Sequence, residues 1–133
     1  MIYTGYFAGY RVANGVAICL YEPKWWKGEC FKTLAPTARI LQWWKESPQD
    51  EKSKRIYEKL YCRDVLGHLN VHDVARALEG KVLLCYERPD EFCHRHIVAK
   101  WLRDNGYECE ELKLEPELYK KLNELLEPNL KII

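Results

Sequence analysis

A short apolar run, followed at once by a proline loop and a helix start, most constrains what this chain can fold into. Residues 81–87 have the sequence Lys-Val-Leu-Leu-Cys-Tyr-Glu, which is typical of a strand buried on both faces of a sheet. Pro89 lies in the next loop, and Asp90 is predicted to cap a helix that continues to about Asn105 and stops at Gly106. A strand leading into a helix is the repeating unit of α/β proteins, so a parallel sheet is expected.

The rest of the chain alternates strands and helices in the same way. Further strands are predicted over residues 2–8, 16–21 and 107–114. The acidic residues of the last strand favour an edge position. Helices are predicted over residues 37–46, 50–64 and 117–127, and another between Asn70 and Gly80, with a long loop over residues 22–36. We therefore predict an α/β fold with a single three-layer domain over residues 1–133. Its mostly parallel sheet is flanked by helices, and three of them lie in the crossover from the second strand to strand 81–87.

Composition excludes several classes of protein. The formal charge of +1 is not that of a polyanion-binding protein, so nucleic-acid binding would need a local basic patch. The N-terminal segment lacks the basic and apolar regions of a signal peptide, and no apolar run reaches the length of a membrane span. The six cysteines are scattered without a Cys-x-x-Cys pair. We expect a soluble cytoplasmic protein with reduced cysteines.

The turn from strand 81–87 into the next helix is the predicted functional site. In open α/β sheets, ligands bind beyond the carboxyl ends of the strands. Free N–H groups and the helix dipole favour an anion there, and the same field activates a thiol. We predict that Cys93 is a thiolate nucleophile, that His94 and Glu87 assist it, and that Arg95 holds an anionic group.

Other side chains are expected to line the same crevice. Thr4 and Tyr6 would lie beside Cys85 if the first strand and strand 81–87 are parallel neighbours. The predicted ligand-binding residues are therefore Arg95, Thr4, Tyr6, Cys85 and Trp25. A helix N-terminus with an arginine favours a small anionic ligand, such as a nucleotide or a phosphorylated metabolite.

A purely structural role is the alternative for the same residues. Buried cysteines are often inert, His94 can donate to a carbonyl, and Arg95 can pair with Glu87 or Glu91. Cys93 and Arg95 are two positions apart within a helix start, whereas Cys-dependent phosphatases place these residues at the two ends of a loop. Neither phosphatase nor sulfurtransferase activity is therefore assigned.

Cys85, Cys93, His94 and His96 could in principle supply ligands to a metal. Their spacing matches no standard zinc pattern. The two histidines also lie about 200° apart around a helix. No metal and no cofactor are predicted.

The loop Lys24-Trp25-Trp26-Lys27 is a second candidate site. Paired aromatic residues between lysines can stack on bases or bind phosphates. The alternative function is therefore a non-catalytic module that binds nucleic acid or a partner protein through this loop. The competing structural interpretation places one tryptophan in the core and the other over a sheet edge.

The segment Leu83-Leu84-Cys85-Tyr86-Glu87, with Pro89 and Cys93-His94-Arg95, resembles the domain-of-unknown-function 488 family. That family has an LLC-x-E strand, a proline loop and a CHR helix start. Ile2-Tyr3-Thr4-Gly5 is similar to its opening strand, and residues 23–28 and 34–36 resemble a compact subgroup of bacteria and phages. The resemblance covers most of the chain and implies a compact three-layer α/β fold.

The chain departs from the family pattern at two places. Only residues 9–15 separate the first two strands, where the family usually has a helix. Leu20-Tyr21-Glu22 stands where the family has Asp-x-Arg, so no role tied to that Asp and Arg is carried over. The family supplies no generally established activity.

Overall fold

A computed structural model describes residues 1–7 and 14–112 of the chain. Its five strands are β1 (Ile2–Tyr6), β2 (Gly15–Ala17), β3 (Glu29–Cys30), β4 (Val82–Cys85) and β5 (Cys109–Glu111). They form one sheet in the order β3-β2-β4-β1-β5, and every neighbouring pair is parallel. The predicted α/β class is confirmed, and the acidic strand β5 lies at an edge as expected. The predicted helix over residues 117–127 lies outside the described residues.

Four helices flank this sheet: α1 (Ala38–Glu46), α2 (Glu51–Asp64), α3 (Val71–Leu78) and α4 (His94–Asp104). The first three begin at side-chain caps, because Thr37, Asp50 and Asn70 accept backbone N–H groups of the first turns. The helix α3 ends before Gly80, whose φ of 78° suits a residue without a side chain. As predicted, these three helices lie in the connection between β2 and its neighbour β4.

The central strand β4 is buried on both faces, and its residues alternate between two apolar clusters. Leu83 and Cys85 pack in a large cluster to which all four helices contribute. Val82 and Leu84 face the other side of the sheet, where Trp26 and Phe7 cover them. The chemistry-bearing Cys85 therefore lies on the helical side of the sheet.

Strand boundaries are shorter than predicted. The last ladder bond along β4 runs from the Phe7 N–H to the Cys85 carbonyl at 3.0 Å, after which the chain turns. The strand predicted over residues 16–21 stops at Ala17. Beyond it, the ammonium group of Lys32 binds the carbonyls of Cys19 and Leu20. These carbonyls are therefore satisfied by a side chain instead of a strand partner.

Two local predictions are wrong. Residues 22–36 are not a plain loop, because they contain β3 and a 3-10 turn at Lys32–Leu34. A two-residue exposed strand is too short to give a periodic signal. Asp90 does not cap α4, which begins at His94 with Cys93 in the cap position. Instead, the carboxylate of Glu91 accepts the Arg88 N–H at 3.0 Å, and these residues form a separate turn.

Within the described residues, no helix has both the length and the apolar character needed to cross a lipid bilayer.

Candidate functional site

A pocket of about 330 Å³ opens beyond the carboxyl end of β4. Its walls come from the segment after β2, from α1 and α2, and from the β4–α4 turn. Four predicted site residues meet there. They are Cys85, Glu87, Cys93 and His94. The other lining residues are Cys19, Leu20, Tyr21, Pro36, Leu41, Trp44, Lys45, Tyr57, Tyr86 and Phe92.

The local fold explains why two thiols and an imidazole converge. Cys85 is the last residue of β4, and its alternation directs it to the helical side. Cys93 is the cap residue of α4, in an extended conformation with φ −157° and ψ 145°. His94 is the first residue of that helix and is buried, as is Cys93. The strand and the helix start thus bring together residues that are eight or nine positions apart.

The orientation of His94 is fixed by the backbone. Its Nε2 lies 2.8 Å from the Ile18 carbonyl, which can only accept, so Nε2 carries a hydrogen. The other ring nitrogen, Nδ1, lies 3.9 Å from both Cys85 Sγ and Cys93 Sγ. The predicted alternative that His94 donates to a carbonyl is therefore confirmed. That bond fixes the ring beside the thiols, with Cys85 Sγ also 3.6 Å from Nε2.

The surroundings shift the pKa values of the two thiols in opposite directions. Burial alone raises the pKa of Cys93, but hydrogen bonds from Cys85 and His94 and the positive charges of His94 and Arg95 lower it well below the usual range. Burial and the hydrogen bond to Cys93 raise the pKa of Cys85 well above its usual range. Of the two thiols, Cys93 is therefore the one whose thiolate form the surroundings favour.

The carboxyl group of Glu87 also lines the pocket. Burial, the charge of Cys93 and a hydrogen bond with Cys93 raise its pKa to about 7. Burial lowers the pKa of His94, yet its hydrogen bond with Cys93 and the charge there raise it above the ordinary value. The arrangement joins two thiols that differ in pKa, an imidazole and a carboxyl group whose pKa is about 7.

Aromatic rings form one wall of the pocket. The Phe92 ring centroid lies 4.8 Å from that of Trp44 and 5.1 Å from that of Tyr57. On another side the Tyr86 hydroxyl donates to the Tyr21 carbonyl at 2.5 Å, and the side chains of these two tyrosines are largely exposed. These rings provide flat apolar surfaces around the thiols.

Arg95 and Thr4 lie together at a different place. The Arg95 guanidinium is fully buried and makes two bonds to Glu111, at 3.0 and 2.8 Å. The Thr4 hydroxyl donates to the same carboxylate at 2.6 Å. The expected partners of Arg95 in the structural alternative, Glu87 and Glu91, are therefore wrong. Its predicted role as an anion ligand stays a prediction.

The tryptophan loop and Tyr6 also lie away from the pocket lining. Trp26 is 7% exposed and packs in the second apolar cluster, while Trp25 is 43% exposed. The Trp25 ring centroid lies 5.9 Å from that of Phe7. Tyr6 packs against the same cluster. The ligand-binding roles of Tyr6 and Trp25 stay predictions, as does the alternative function of the loop.

Sequence reasoning missed the aromatic wall and its lysine. Trp44, Tyr57, Phe92 and Lys45 are not among the site residues that the sequence predicts. Their helical spacing signals burial and does not reveal that the buried face borders a pocket. The adjacency of Phe92 to Cys93 was the only local signal.

The fold and this pocket define an α/β protein with a buried thiol–imidazole cluster at the carboxyl end of its central strand. The family described as "Active DUF488-N3 subclade" matches residues 9–106 of the 133 residues. The chain belongs to the DUF488 family. No curated protein and no solved structure matches it.

Proposed function

We propose that this protein is an enzyme that acts on a small ring-bearing anion, a nucleotide or phosphorylated metabolite, with Cys93 as its nucleophile. The observation that carries the proposal is the position of Cys93. It lines the pocket, with Cys85 and the oriented imidazole of His94 beside it. A nucleophile, a hydrogen-bond donor and an acid gathered in one concave site are the usual parts of covalent catalysis.

The pocket supports a small, flat substrate. A volume of about 330 Å³ is at the lower end of ligand pockets. The rings of Trp44, Tyr57 and Phe92 favour an aromatic or heteroaromatic group. Lys45 is an exposed lining residue and offers a positive charge to a phosphate at the mouth. The start of α4 adds unsatisfied N–H groups.

The chemical steps use groups that are within the pocket. The Cys93 thiolate forms an S–C bond with the substrate while the bond from that carbon to the leaving group breaks. Protonated Glu87 gives its proton to the leaving group. Water then attacks the same carbon, transfers a proton to the Glu87 carboxylate and releases the thiolate. The second half-reaction thus restores both the Cys93 thiolate and the protonated Glu87 that the first one consumed.

The cysteines support a reducing compartment for this enzyme. All six are free, and none forms a disulfide. A catalytic thiolate also needs reducing surroundings. A cytoplasmic location is therefore part of the proposal.

Alkylation of the folded protein with iodoacetamide, in a buffer that contains a metal chelator, tests the proposal. Mass spectrometry would follow Cys93 and the exposed Cys62 across pH, with and without nucleoside monophosphates. We expect Cys93 to react at least ten times faster than Cys62 at pH 6, and at least one of the monophosphates to protect it. Inorganic phosphate alone should protect less, because it leaves the aromatic wall uncovered.

A variant within the pocket and a matched control outside it accompany that measurement. Lys45→Gln should weaken nucleotide protection, whereas Lys52→Gln, outside the pocket, should not. If Cys93 is modified only after unfolding, or if none of the four common monophosphates protects it, the proposed function is wrong.

Trp25 favours a second candidate function, the binding of single-stranded nucleic acid. It is the exposed member of the tryptophan pair, and the lysines on either side are also exposed. A fluorescent oligothymidylate provides the probe. Its affinity should fall steeply with salt, and Trp25→Ala should weaken it more than Cys93→Ser. An affinity that does not depend on salt concentration, or that Trp25→Ala leaves unchanged, excludes this function.

A further inference from the structure

Two thiols and one imidazole nitrogen lie close together in the pocket. A cysteine nucleophile does not by itself need a second thiol in such a group. The ligand atoms of Cys85, Cys93 and His94 all lie within 4.8 Å of one another, and all three residues are buried. Neither thiol is exposed at the surface. Such a convergence of soft donors is the arrangement that transition metals select in proteins.

We propose that Cys85, Cys93 and His94 bind a zinc ion, with the fourth coordination position open to the pocket. The inference rests on the proposed function, which makes the pocket the reaction site, and it adds an activating metal to the nucleophile. A metal-held thiolate remains able to attack carbon, because coordination is one of the ways proteins activate such groups.

The hydrogen bond of His94 is the second observation. Histidines that bind zinc typically donate their other ring N–H to a carbonyl or carboxylate, which fixes the ring. Here Nε2 donates to the Ile18 carbonyl at 2.8 Å, so Nδ1 is the nitrogen left for a metal. This is the tautomer that a site with a histidine Nδ1 ligand needs.

The distances are close to those of a tetrahedral site. With Zn–S near 2.3 Å and Zn–N near 2.0 Å, sulfur and nitrogen ligands lie about 3.6 Å apart. Nδ1 lies 3.9 Å from each sulfur, a few tenths of an ångström longer. Cys85 Sγ is closer to Nε2, at 3.6 Å, so coordination through Nδ1 requires Cys85 Sγ to shift toward Nδ1. Binding also releases the thiol protons.

The donor set and the pocket select the kind of site. Two thiolates and one imidazole are soft and borderline ligands, which exclude Mg²⁺ and Ca²⁺ and favour Zn²⁺. Three protein ligands with one open position are typical of catalytic zinc, whereas structural zinc has four. Glu87 lines the same pocket and is placed to exchange protons with whatever occupies the open position. His96, the fourth residue weighed from the sequence, is not part of the cluster.

Metal analysis of the purified full-length chain tests the inference. We expect about one equivalent of zinc, and after chelation we expect Co²⁺ to give the intense visible bands of a tetrahedral site with a near-ultraviolet thiolate charge-transfer band. Cys85→Ser should lower zinc affinity at least tenfold. Cys109→Ala, a buried cysteine outside the cluster, should leave stoichiometry and spectrum unchanged.

If the Cys85→Ser variant does not fold, a measurement on the wild-type protein tests the same inference. Zinc added to the chelated wild-type chain should slow alkylation of Cys85 relative to Cys109. A zinc content below a tenth of an equivalent after zinc addition, or a Co²⁺ spectrum without a thiolate band, overturns the inference.

The outcome is separable from that of the proposed function. If the chelated protein keeps fast Cys93 alkylation and nucleotide protection but binds no metal, the zinc site is wrong and the function stands. If zinc binds at one equivalent and no nucleotide protects Cys93, the function is wrong and the zinc site stands.

Discussion

The thiol cluster and the Arg95–Glu111 pair begin at the same helical turn and yet differ in almost every physical respect. Cys93 and His94 line a pocket and have unusual pKa values, whereas Arg95 is enclosed and paired with a carboxylate on the neighbouring strand β5. Consecutive side chains of a helix point about 100° apart, so the side chains of one short motif lie in two different environments. The Cys-His-Arg motif therefore has a chemical part, Cys93 and His94, and an architectural part, Arg95.

The largest expected effect tests the architectural part. Arg95→Ala leaves the Glu111 carboxylate buried without its charged partner, so the free energy of unfolding should fall by about 3–5 kcal/mol. Urea denaturation measures this loss. Asp73→Ala breaks the exposed pair with Arg76 and should cost at most about 1 kcal/mol. Equal losses in the two variants would remove the distinction between the buried pair and an ordinary surface pair.

Acid sensitivity provides a second test of the same pair. Burial raises the pKa of Glu111, but the hydrogen bonds from Arg95 and Thr4 bring it below its ordinary value of 4.5. The stabilisation is therefore complete above pH 4.5 and is lost as the pH falls through the lower folded-state pKa. In the double variant Arg95→Leu with Glu111→Leu, this part of the acid slope should disappear.

Unfolding measured at several pH values below 5 gives that slope. An unchanged slope in the double variant would assign the acid sensitivity to other carboxylates.

The chemical part should tolerate substitution better than the architectural part. Cys93→Ala removes a single sulfur from a site that borders a pocket, so the stability loss should be about 1 kcal/mol. The same change should abolish the fast alkylation phase. Denaturation and mass spectrometry on one sample measure both effects. A loss as large as that of Arg95→Ala would make Cys93 a packing residue.

Lys45 should give the smallest change in stability. Lys45→Gln alters an exposed side chain and should shift unfolding by no more than about 0.5 kcal/mol. Nucleotide protection of Cys93 should nevertheless weaken about fivefold, the effect of about 1 kcal/mol. Protection that is unchanged would show that the anionic part of the substrate lies elsewhere.

Much of the fold was predictable because its signals are local. The caps Thr37, Asp50 and Asn70 mark helix starts through side-chain bonds within three residues. The apolar run of β4 indicated a strand buried on both faces. The edge strand β3 was missed because a two-residue strand has no period, and the Asp90 cap was wrong because Cys93 takes the cap position of α4.

The site was predictable only where its residues are close together in the sequence. Cys85, Glu87, Cys93 and His94 are close in sequence, and the β4–α4 turn brings them into one pocket. Trp44 and Tyr57 reach that pocket through the long crossover, so no sequence spacing connects them to it.

The sequence by itself determined the alternation of strands and helices, and the place where a strand ends in reactive side chains. Period, caps and turn residues depend on neighbours along the chain, and these are visible without a structure. Only the tertiary structure decided that Arg95 pairs with Glu111 and that His94 donates to Ile18. The tertiary structure alone also brought the aromatic rings next to the thiols. These contacts join residues far apart in sequence, and their geometry depends on strand order and helix packing, which no local pattern encodes.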